Sequence, residues 1–183
     1  MKIIAIIFSV ICLQISSFGQ AKYFSKDGKI SFYSKAPMEN IEAHNNKAVS
    51  VVDLSSGAME FSVLMKGFEF EKAKMQEHFN ENYVESDKFP KATYAGKIQN
   101  LSAVKIKQDG SYPVKITGRL TMHGVTKEQA ADAVITVKGG SISAVSELTV
   151  TLQDYNVQIP SLVAEKISKT VKITVNVPSY KPM

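Results

Sequence analysis

Tyr112-Pro-Val-Lys-Ile-Thr-Gly-Arg-Leu-Thr-Met-His-Gly-Val-Thr-Lys-Glu128 decides the fold class of this chain. Val114, Ile116, Gly118, Leu120 and Met122 fall on one side of an extended segment; Lys115, Thr117, Arg119, Thr121 and His123 fall on the other. A strand sends successive side chains to opposite faces, so this alternation describes a sheet with one apolar and one wet face. The stretch holds no phosphate loop, catalytic triad or metal cluster. Any function must come from what the apolar face encloses.

The same period of two recurs on both sides of it. Ile30, Phe32 and Ser34 alternate with Ser31, Tyr33 and Lys35. Val49, Val51 and Asp53 interleave with Ser50 and Val52, and Met59, Phe61, Val63 and Met65 alternate with Glu60, Ser62 and Leu64. Ala92, Tyr94, Gly96 and Ile98 form a further set, followed beyond the opening stretch by Ala133, Ile135 and Val137. The last two runs are Ile142 to Leu152 and Val171 to Val177. The pattern predicts about eight strands. Lys26-Asp27-Gly28, Ser55-Ser56-Gly57, Gln108-Asp109-Gly110 and Lys138-Gly139-Gly140 read as the turns between them. Short turns imply antiparallel neighbours, and so many strands make an all-β sandwich or a closed barrel. Pattern alone does not separate the two.

One segment breaks the alternation. From Phe70 to Tyr83 the apolar residues Met75, Phe79 and Tyr83 recur every fourth position, which predicts a short helix. Phe89-Pro90 then returns the chain to an extended course. A second irregular stretch lies at 155–165, around Pro160.

The N-terminus is read separately. Met1-Lys2 is a short basic start, Ile3 to Ile15 is almost uninterrupted apolar sequence, and Ser17-Phe18-Gly19 offers small residues at the cleavage positions. This predicts a secretory signal peptide over residues 1–19, cut before Gln20, and one domain over residues 20–183. The apolar run is too short for a membrane span, and no span is expected after cleavage. Bulky Ile11 before Cys12 argues against lipidation. Cys12 is the single cysteine, so the expected mature chain holds itself together by burial, without disulfides or thiol chemistry. The chain carries 22 Lys and Arg against 17 Asp and Glu, but the charges are interspersed, as at Lys26-Asp27 and Lys127-Glu128. No basic stripe interleaves with aromatics, so a nucleic-acid partner is not expected.

Catalytic chemistry is scarce. His44, His78 and His123 lie in separate elements without ligand spacing and read as surface side chains, so neither a metal site nor a cofactor is expected. Glu81, Glu85 and Asp87 stand beside Lys88 and Lys91, which suits a solvated turn. An enzyme using His78 with Glu81 is the weakest reading. Apolar capacity remains: Phe32, Met59, Phe61, Met65 and Tyr94 sit on inward faces, with Ile116, Leu120, Met122, Leu148 and Ile173. An eight-stranded barrel either fills its interior with such side chains or holds one small ligand there.

Two stretches carry a resemblance. Gly118-Arg-Leu-Thr-Met-His-Gly-Val-Thr-Lys127 resembles the G-x-L-T-hydrophobic-x-G-V-T-K signature of the YceI-like family. Met75-Gln-Glu-His-Phe79, Tyr83 and Ser86-Asp-Lys-Phe-Pro-Lys-Ala-Thr-Tyr94-Ala-Gly96 are similar to a second run of that family, in the same order. The resemblance implies an antiparallel lipocalin-like β-barrel with one short covering helix, binding a hydrophobic molecule such as a polyisoprenoid or another lipid in the periplasm or outside the cell. The inward residues above would line the tube, Met75 and Phe79 would sit on the cover, and Lys72, Lys74 or Lys88 could meet a phosphorylated head. The chain departs from the family at 40–53, where a V-x-G-x-F strand is usual.

Overall fold

The computed structural model describes residues 22–183, so the expected signal peptide lies outside the described residues. Nine strands follow in chain order: β1 (Lys22–Lys35), β2 (Asn40–Asp53), β3 (Ala58–Leu64), β4 (Glu69–Phe70), β5 (Lys91–Ile98), β6 (Gly110–Met122), β7 (Val125–Lys138), β8 (Ser141–Thr151) and β9 (Thr170–Pro182). Eight of them form an antiparallel meander that closes because β1 pairs with both β9 and β2. β4 is a two-residue addition to β2, pairing Phe70 with Ala43. Closure removes the open edges that a sandwich would leave. The barrel is the outcome that strand patterning left open.

Tyr112–Glu128 becomes the β6–β7 hairpin. Val114, Ile116, Leu120 and Met122 are buried, while Lys115, Thr117 and Arg119 are exposed. Burying each of these four apolar side chains contributes roughly 1.5–3 kcal/mol. Its two-residue turn, His123-Gly124, has φ values of +50° and +74°. Positive φ at both positions matches the right-handed twist of the strands it joins. Gly139-Gly140 does the same between β7 and β8, with φ of +56° and +79°.

Two expectations need correction. Lys26-Asp27-Gly28 is not a turn; it lies inside β1, where the register against β2 slips on both sides of Gly28. A Cβ on Gly28 would stand 2.8 Å from the Ala48 carbonyl oxygen, so the bulge presses two backbones together. Strand β2 is also longer than the Val49–Asp53 pattern indicates. Ala43 and Asn45, then Ala48, Ser50 and Val52 face inward. The step of three from Asn45 to Ala48 hides the alternation. Asn45 is 1% exposed; its amide donates to the Leu64 carbonyl at 2.9 Å, and its oxygen accepts from the Lys47 N–H at 2.9 Å. An asparagine that looks misplaced in a strand thus ties β2 to the end of β3.

The helix is shorter than the apolar spacing predicts. α1 spans Ala73–His78 and continues as a π-helical turn at Phe79–Tyr83, while Phe70 belongs to β4. No side chain caps α1, and six residues cannot hold a helix by propensity alone. Packing holds it: Phe79 lies 5.5 Å from Phe32, 5.7 Å from Phe68 and 5.0 Å from Phe70, centroid to centroid.

The core divides along the barrel axis. At one end Val52, Ile98, Val114, Ile135, Val137, Val177 and Tyr180 pack together as a floor. There the buried Ser50 and Tyr180 hydroxyls pair at 2.7 Å. At the other end α1 and the 152–169 connection lie over Met65, Phe68, Val84, Leu120 and Met122. That end is covered but hollow.

A covered apolar cavity

A cavity of about 390 Å³ fills the covered half of the barrel. The size falls within the ~300–1,000 Å³ typical of small-molecule sites. All twelve side chains expected to face a ligand border it. Strands supply Phe32, Met59, Phe61 and Tyr94 on one part of the wall, and Ile116, Leu120, Met122, Leu148 and Ile173 on the rest. Met65 lies in a 3-10 turn after β3, and Met75 and Phe79 reach in from the cover. A second space of about 50 Å³ lies below, sharing Met59, Phe61 and Ile116 as walls.

Gly96 and Gly118 shape the wall between the two halves. They are paired across β5 and β6, and Gly118 is in turn paired with Gln129 of β7. A Cβ on Gly96 would stand 2.6 Å from the Tyr94 ring, so the ring lies across the gap that the glycines leave. It spans β6 entirely: the Tyr94 hydroxyl donates to the Gln129 carbonyl at 2.8 Å. Burial, helped by Glu128, pushes the Tyr94 hydroxyl up to about 12. The phenol therefore stays neutral beside the apolar cavity.

The lining includes residues that the sequence pattern did not single out. Phe68 and Phe70 join Phe32 and Phe79 in an aromatic cluster under the cover. Val157, Val163, Lys166 and Ile167 come from the β8–β9 connection, whose irregular sequence has no period to read. Its C-terminal part is pinned to the β1 side at two points: the Met38 N–H donates to the Glu165 carbonyl at 3.1 Å, and the Ser168 N–H to the Ser34 hydroxyl at 3.0 Å. Of the lysines expected at the mouth, Lys72 pairs with Glu39 at 2.9 Å, and Lys88 stands 3.9 Å from Glu85. None of Lys72, Lys74 and Lys88 borders the cavity; Lys166 does.

His123 is a correction too. It is not a surface side chain, being only 10% exposed. Nδ1 donates to the Tyr155 carbonyl at 3.0 Å, and Nε2 meets the Glu85 carboxylate at 2.7 Å. The Phe89 ring packs edge-on against it at 4.8 Å. One imidazole thus joins the β6–β7 turn, the segment after α1 and the start of the β8–β9 connection. The three non-glycine residues with left-handed backbone among the described residues, Glu85, His123 and Asn156, sit in or beside this junction. His78 borders the cavity at the mouth, and Glu81 is exposed. Among the described residues no three metal-ligating side chains converge, and no helix is long and apolar enough to cross a membrane.

A closed eight-stranded meander with a covered apolar cavity is a lipocalin-like barrel. More narrowly, the chain belongs to the YceI-like domain family, whose model matches residues 17–178. Among solved structures it is similar to a polyisoprenoid binding domain from Saccharophagus degradans implicated in plant cell wall breakdown, at 12% identity and a TM-score of 0.75, covering 90% of this chain and 99% of that one. BcnA of Burkholderia cenocepacia aligns at 15% identity and a TM-score of 0.68, covering 84% and 96%. The YCEI protein of Campylobacter jejuni aligns at 19% identity and 0.55, covering 75% and 81%. At these identities the likeness is one of fold. No curated protein matches the chain.

Proposed function

We propose that the protein binds the hydrophobic chain of a lipid, such as a polyisoprenoid or a fatty-acid-like molecule, inside the barrel and sequesters or carries it without catalysis. The observation that carries this reading is the apolar cavity of about 390 Å³ beneath a cover held by packing. Affinity comes from removing the chain from water, at roughly 25 cal/mol per Å² before the cost of association. The polyisoprenoid-binding description of the Saccharophagus degradans domain agrees with it. The alternative, a solid barrel acting only through its surface, is disfavoured by the same cavity. With residues 1–19 read as a signal peptide, the protein works in the periplasm or outside the cell.

The test is native mass spectrometry and solvent extraction of protein purified from its own host. We expect a co-purifying chain-bearing lipid, and uptake of a prenyl or fatty chain by delipidated protein. Protein that is consistently empty and takes up neither would end this reading. Cell fractionation with N-terminal sequencing checks export, with Gln20 expected as the first residue.

A further inference from the structure

We infer that the cavity takes an acid: an amphiphile whose anionic head, a carboxylate or a phosphate, sits at the mouth against Lys166. This rests on the carrier reading and adds the class of head. Of the five hydroxyl side chains that border the cavity, three are already engaged with backbone groups, Thr93 is exposed, and Tyr83 lies on the cover. Tyr94 donates to Gln129, Ser146 donates to the Asp132 carbonyl at 2.9 Å, and Ser34 accepts from Ser168. The interior therefore suits a chain rather than a head, because a head buried there would leave polar atoms unpaired.

Charge is confined to the mouth, where Glu39, His78 and Lys166 border the cavity. The Glu39 carboxylate is held by Lys72, and that contact raises the Lys72 ammonium above its usual range. Lys166 forms no ion pair among the described residues. Its backbone is fixed on both sides, at Glu165 by the Met38 N–H and at Ser168 by Ser34. Of the charged groups that border the cavity, Lys166 is thus the cation that no carboxylate holds among the described residues, and it stands on an anchored segment. A chain lying tail-down places its head there.

The experiment compares heads on identical chains with delipidated protein at about pH 8, where carboxylates are ionised. Hexadecanoic acid is set against hexadecanol, and farnesyl phosphate against farnesol. The acid should bind about threefold to fivefold more tightly than its alcohol at low salt, the size expected of a solvent-exposed ion pair. Lys166→Gln should abolish that gap, the acid and its alcohol then binding the variant equally well. Lys74→Gln, on α1 but off the cavity wall, should keep it. A gap in one pair only assigns the head to carboxylate or to phosphate, and either supports the inference. No gap in the wild type, or a gap that survives Lys166→Gln, overturns it. If neither acids nor alcohols bind, the carrier reading itself has failed.

Discussion

Tyr94 shows how far one side chain's role depends on its neighbours. Two glycines on adjacent strands give its ring a trough, and the ring uses it to reach a carbonyl two strands away. Tyr94→Phe should lower stability by about 1 kcal/mol at neutral pH, the usual net value of such a bond. The effect must also depend on pH. The folded-state value is raised from 10.0 to about 12, so the tyrosine's contribution is complete below about 10 and lost as pH rises through about 12. Urea denaturation of wild type and Tyr94→Phe from about pH 9 to about pH 12 reads this directly, since the other tyrosines are common to both. The difference should shrink across that window; one that stays constant would show that the burial argument is wrong. The inward placement of Tyr94 was legible from its alternation with Thr93 and Ala95, but its reach to Gln129 was not. That bond depends on which residues two other strands bring alongside.

Elements of the covered end are fastened at a few points. α1 has no capping side chain, and the 152–169 connection has only short 3-10 turns. The His123 imidazole joins both regions to the β6–β7 turn. His123→Ala should cost about 1–3 kcal/mol, because it leaves the Tyr155 carbonyl without its donor, removes the contact to Glu85 and empties the place of a mostly buried ring. Its signature should be local: faster amide hydrogen exchange at residues 85–89 and 152–157, with β7 and β8 unchanged. Unaltered exchange in those segments would mean the imidazole is no fastening. Sequence reading went furthest where one period runs unbroken, as in β6 and β7. It faltered where a bulge resets the count: Asn45 to Ala48 conceals half of β2, and Asp27-Gly28 uses turn residues to build a kink. His123 looked like the wet face of a strand because nothing local indicates that Glu85 and Tyr155 converge on it. Val163 and Ile167 were missed for the same reason: tertiary contacts, not spacing, turn them inward.

The whole molecule is a tube with unlike ends. The floor is side chains packed around the Ser50–Tyr180 pair, and the space above it narrows at Met59, Phe61 and Ile116. A homologous series of alcohols should therefore gain affinity by up to about 0.8 kcal/mol per added CH₂, then level off once the space is full. Isothermal titration across the series would show the break, and a steady climb without one would indicate passage through the floor. Flexible Met59 is placed to shift the break point, since it walls both the small lower space and the large one. The packed floor also gives the molecule a direction. Whatever occupies the tube goes in by one end and comes out by the same end, last part in, first part out. For a carrier of the kind proposed, donor and acceptor then take turns at one doorway, so loading and delivery cannot occur together, and whatever meets the rim decides which of the two is under way.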